Sequence, residues 1–182
     1  MQNIKLTAII VDIQKQLVLK PYDLAHDITH HYRVYQESIK IIDKEKLKIN
    51  KNIITLCAWL HDFEGRKGEK FKETKKILTK HNFDVNIVIK IISIIKEHSL
   101  GEKQTLLESK ILYDADKLEY VSLFRLSWFV QAGKDGYINQ KKYYQYKKEW
   151  REKIDEVEKT LHFSYSKKEF LRLLPEAKKI MC

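Results

Sequence analysis

The chain has 182 residues, enough for a domain with a sizeable core. Its 35 Lys and Arg outnumber its 25 Asp and Glu, and the net charge of +10 favours anionic partners. With only five Gly and two Pro, a loop-rich or β-rich fold is excluded and long helices are the natural product.

The first predicted helix covers residues 4–19, with Leu6, Ile9, Ile10, Ile13 and Leu17 on one stripe. Lys20-Pro21 stops it. Asp23 or Asp27 can cap a second helix over 27–43, whose inward stripe runs through His30 or His31, then Val34, Ser38, Ile41 and Ile42. Asn50 caps a third helix, which carries Ile53, Ile54, Cys57 and Leu60 toward His61. The loop FEGRKGE at 63–69 follows, then a fourth helix at 70–80. A fifth helix, 84–98, is apolar on most sides and reads as the central one, ending at His98-Ser99 with Gly101 beyond. One or two helices occupy 105–132, with Gly133 and Gly136 closing them. The stretch 133–139 reads as a long exposed loop, followed by a long charged helix at 138–160 and a short one at 166–180. No repeat, low-complexity tract or domain boundary is found. The expected fold is all-α: one helical bundle over 1–182, with about seven to nine helices.

Cys57 and Cys182 form no CxxC pair, and Cys57, inside an apolar helix, reads as a reduced core thiol. Lys5, Asp12, Lys15 and Lys20 break any signal-peptide pattern, and no run reaches the ~18 apolar residues of a spanning helix. A soluble, cytoplasmic protein with no membrane partner is therefore expected.

The stretch LCAWLHDFEGRK at 56–67 organises the rest. An apolar run ends in His61 and Asp62, which would be costly to bury without partners. Imidazole and carboxylate together are good ligands for a divalent metal. Arg66 and Lys67 follow Gly65, and a cationic loop beside a metal pair suits a phosphate-bearing substrate. Glu64 is the nearest carboxylate in sequence and so a candidate acid or base. Other polar residues interrupt apolar helices at His30 or His31, at His98, and at Asp114 or Asp116. Such positions near helix ends can converge on one cavity of a bundle.

Four segments, HDITHHYRV (26–34), AWLHDFEGRK (58–67), IIKEHS (94–99) and YDADKLE (113–119), resemble the HD-domain superfamily of metal-dependent phosphohydrolases. The likeness covers about 20–130, leaving the helices at 138–180 beyond that core. It implies an all-helical fold and hydrolysis of a phosphomonoester or phosphodiester, often of a nucleotide, on a bound divalent cation. It also makes His30, His61, Asp62 and Asp116 the metal ligands and Asp114 a structural neighbour. Arg33 would hold the helix or a phosphate. Family members with two metals carry two further His between the His-Asp pair and the last Asp. His98 fits the second of these, but 68–74 has no His and His81 is offset, so one metal per chain is expected. His98 then becomes a substrate contact or proton donor. These ligand types are compatible with Mn, Fe, Co, Ni, Zn or Mg.

Two other readings compete with an enzyme. The same pocket can bind a nucleotide or metal without turnover. Alternatively, YYQYKKEWREK (143–153) can stack on single-stranded nucleic acid, although Tyr and Trp packing inward with Lys in water is the simpler account.

Overall fold

The computed structural model describes residues 2–19, 26–64 and 71–181. Among them are nine α-helices and one 3-10 turn, with no strand. The helices gather into two compact units, residues 1–113 and 114–182, the boundary falling inside the sixth helix.

The first unit holds α1 (Gln2–Leu19), α2 (Ile28–Lys44), α3 (Lys51–Leu60), α4 (Lys72–Lys80), α5 (Val85–Lys96) and the start of α6 (Leu107–Lys117). Side-chain caps set several of the starts. Asp27 accepts the His30 amide, Asn50 the Asn52 amide and Asp84 the Asn86 amide, each satisfying a donor that the helix leaves unpaired. Asp23 and Lys20-Pro21 lie outside the described residues. The α2 stripe is buried as its spacing predicts, except that both His30 and His31 face inward.

The central helix is α3, not α5. Every residue from Ile53 to Leu60 is buried, and α1, α2 and α5 all pack on it. On α5, Val85 is 65 % and Ile89 58 % exposed. An all-round apolar helix announces burial but not which layer it occupies. Within α3, Thr55, Cys57 and Ala58 are small enough to admit neighbours on several sides. Burial pushes the Cys57 thiol up, as befits a reduced core residue. Between α1 and α4, Asp12 accepts from Lys80 and from His81, both at 2.8 Å.

The second unit holds the end of α6, a 3-10 turn (Leu118–Val121), α7 (Leu123–Lys134), α8 (Gln140–Thr160) and α9 (Ser164–Met181). No long loop occurs at 133–139: α7 runs to Lys134 and only 135–139 connect it to α8. Gly133 lies inside α7, where a Cβ would come within 2.4 Å of the Tyr143 ring. That glycine is a contact point between helices rather than a loop residue. Gly136, at φ +79°, makes the turn. On α8, Trp150 is buried and its indole N–H donates to the Tyr120 carbonyl, while Tyr143 stacks on Phe129. No described helix is long and apolar enough to cross a membrane.

Candidate metal centre

The centre is assembled where α3 ends and α2 begins. Asp27 caps α2 and takes the His30 amide at 2.9 Å, which fixes His30 in the first turn and buries it. His61 closes α3, and its Nδ1 contacts the Ala58 carbonyl at 2.8 Å. A carbonyl oxygen can only accept, so Nδ1 carries the proton and Nε2 presents a lone pair. That nitrogen faces Nε2 of His30 at 3.0 Å, in a buried setting.

Asp62 projects beside them. Its Oδ2 lies 3.5 Å from Nε2 of His26 and 3.6 Å from Nε2 of His61, while Oδ1 lies 3.7 Å from Nε2 of His98. His98 also donates its Nδ1–H to a carbonyl, that of Ile95, which leaves Nε2 to face Oδ1 of Asp62. Burial alone would push the Asp62 carboxyl up. The surrounding His61, His98 and His26 outweigh it and hold the group well below the usual carboxylate range. His31 packs against the His61 ring and shares the Ala58 carbonyl. Burial first, then His61 and His30, hold its pKa well below the ordinary imidazole value, so it stays neutral.

Imidazole nitrogens and carboxylate oxygens therefore gather at one place, an arrangement that needs protons or a cation to be favourable. The spacing suits a cation. Two imidazole nitrogens on adjacent positions of a metal, each at ~2.1 Å, are about 3 Å apart. The His30–His61 separation is 3.0 Å. The carbonyl bonds at Nδ1 of His61 and His98 are the usual outer partners that orient a metal-binding imidazole.

Of the residues singled out in the sequence, the structure brings His30, His61, Asp62 and His98 together. Glu64 accepts the Thr74 amide in the first turn of α4. Arg33 donates to Thr29 one turn back, and Thr29 donates to Asp27, a chain that braces the start of α2. Arg66 and Lys67 lie outside the described residues. Asp116 belongs to the second unit, where it is buried and accepts from Lys117. Asp114 of that unit accepts the amides of His162 and Phe163, ahead of α9.

His26 was missed as a site residue. It precedes the α2 cap, and its signal in the sequence was its place at the head of the segment 26–34 that carries the resemblance. The expected end of α5 at His98 also moves: the helix stops at Lys96. Glu97 then turns its carboxylate onto the Thr105 and Leu106 amides, and His98 follows in the turn.

No family model and no curated protein matches the sequence. Solved structures do match in fold. A Lactobacillus plantarum protein superposes with a TM-score of 0.77 at 18 % identity, covering 97 % of this chain and 93 % of its own. An HD-superfamily hydrolase from Bacillus thuringiensis gives 0.72 at 18 % identity, covering 100 % and 95 %. A Listeria innocua protein gives 0.67 at 20 % identity, covering 97 % and 93 %. The chain thus has the all-α fold of an HD-superfamily hydrolase.

Proposed function

We propose, from the fold shared with an HD-superfamily hydrolase and from the donor set at the α2–α3 junction, that this protein is a metal-dependent phosphohydrolase. Its substrate is a small phosphorylated metabolite, a nucleotide fitting best, cleaved at a phosphomonoester or phosphodiester bond. The observation that carries the reading is the gathering of the His30 and His61 imidazole nitrogens beside the Asp62 carboxylate.

His30, His61 and Asp62 would hold one divalent cation. Asp116 is a further ligand candidate on the sequence resemblance. When bound, such a cation supplies Lewis acidity toward a phosphoryl oxygen and toward water. The protein's own groups do the rest. Carbonyl bonds lock the imidazoles of His61 and His98, so the site needs little reorganisation when it loads. His98, beside Oδ1 of Asp62, is the first candidate to pass a proton to a leaving oxygen, and Glu64 the second. Arg66, Lys67 and Arg33 are the candidate cations for the phosphate, which the net charge of +10 would help attract.

The test is metal analysis of the purified protein, with a panel of nucleotides and generic phosphoesters assayed across Mn, Fe, Co, Ni, Zn and Mg. Asp62→Ala is run beside the wild type, and Asp116→Ala decides whether that carboxylate contributes. About one metal per chain and Asp62-dependent turnover are expected. Metal without turnover would leave a silent binding module, and a metal-free wild type would sink the reading.

A further inference from the structure

The resemblance gives His26 no role, yet it has the same relation to the Asp62 carboxylate as a ligand has. Its Nε2 is 3.5 Å from Oδ2, the same oxygen that faces Nε2 of His61 at 3.6 Å. His98 approaches the other oxygen, Oδ1, at 3.7 Å. The two outlying histidines thus divide the carboxylate: His98 braces one oxygen, while His26 shares the other with His61. Donor atoms of His26, His30 and Asp62 all lie within 4.8 Å of one another. The His26 and His30 rings stand edge to face with centroids 5.3 Å apart. His61 stands beside that group, its Nε2 3.0 Å from Nε2 of His30 and 3.6 Å from Oδ2 of Asp62.

We propose that His26 is a third imidazole ligand of the cation, so that residues 26–62 alone supply three nitrogens and one carboxylate. The proposal rests on the metal-dependent reading above and narrows it. Such a nitrogen-rich set discriminates against Mg, which prefers oxygen ligands and water, and favours Fe, Co, Ni or Zn. All four donors come from the first unit, from the α2 start and the α3 end. The short α2 cap is what makes this possible. Asp27 turns the chain so that His26, just outside the helix, still faces the same way as His30 inside it.

The experiment uses the full chain loaded with Co(II). X-ray absorption counts the imidazoles around cobalt directly, and visible absorption with a competing chelator gives the affinity. Three imidazoles are expected in the wild type and two in His26→Ala. The variant's affinity should fall by more than about a hundredfold, beyond the ten- to hundredfold that losing a merely orienting partner costs. The same substitution should leave Mg affinity nearly unchanged. Helix content and apo-protein melting of His26→Ala are measured alongside, and the wild-type count stands even if that variant folds poorly. A wild-type count of two imidazoles, or an unchanged cobalt spectrum in His26→Ala, would overturn the proposal while leaving the phosphohydrolase reading intact. If the wild type binds no cobalt or other transition metal, both fall. The count concerns nitrogen donors, so it does not depend on whether Asp116 adds an oxygen.

Discussion

The two units each place a carboxylate near a helix end, and they satisfy it in opposite ways. In the first, Asp62 is ringed by the side chains of His26, His61 and His98, all of which can exchange a proton for a metal. In the second, Asp114 is fully buried and held by the backbone amides of His162 and Phe163. Titration separates them too. Imidazoles hold Asp62 well below the usual carboxylate range, whereas burial pushes Asp114 up to about 6 despite its amide bonds. A carboxylate among side chains is available for chemistry. One consumed by backbone amides is a structural cap.

The largest effect that can break this contrast comes from Asp62→Ala. Metal content should fall below about a tenth of wild type and hydrolysis by at least about a thousandfold, and apo stability should also fall, because a carboxylate held below its ordinary range stabilises the fold at neutral pH. Metal analysis, turnover and urea unfolding of the apo protein measure the three. An equivalent loss of metal in Asp114→Asn would erase the distinction between the two aspartates.

Next comes the pH dependence of Asp114. Its folded pKa, about 6, lies above the ordinary 3.8, so the folded state holds the proton more tightly than the unfolded chain. The stabilisation this gives is complete below about pH 4 and is lost as pH rises through 6. Across that window the loss amounts to about 3 kcal/mol at most. Urea unfolding from pH 4 to 7 should show this fall, and Asp114→Asn should flatten it.

Gly133→Ala sharpens the second unit's side. An added Cβ would meet the Tyr143 ring at 2.4 Å, so overpacking should outweigh the better helix propensity of Ala. A net loss of about 1–2 kcal/mol in urea unfolding, with metal content unchanged, is expected. The smallest effect belongs to the first unit. Lys80 and His81 lower the Asp12 carboxyl to about 2, so its contribution is complete above pH 4 and fades as pH drops through 2. Asp12→Asn should shift the urea midpoint slightly near neutral pH, and high salt should erase the difference.

Much of the helical frame was legible. The spacing of apolar residues located α1, α2 and α3, and Asp27 and Asn50 cap as their positions imply. The α2 stripe came out residue by residue, because a 3.6-residue period fixes which side chains share a face. What failed depended on neighbours. Gly133 looked like a loop residue until the Tyr143 ring was seen against it. The burial order of α3 and α5 was reversed because an apolar surface does not name its partner. His26 was passed over because it sits just outside the helix whose period ranked the others.

Sequence alone determined an all-helical chain, the faces of its helices and a His-Asp pair at the end of an apolar run, since these follow from local periodicity and solvation. Only the tertiary structure decided which imidazoles reach Asp62 and which of its oxygens each one faces. It also fixed the proton of His61 on Nδ1, through the Ala58 carbonyl. The physical reason is reach: hydrogen bonds and metal ligation act over about 2–4 Å. Helical period sets direction but not distance, and distance between residues 26, 61 and 98 exists only once the helices have packed.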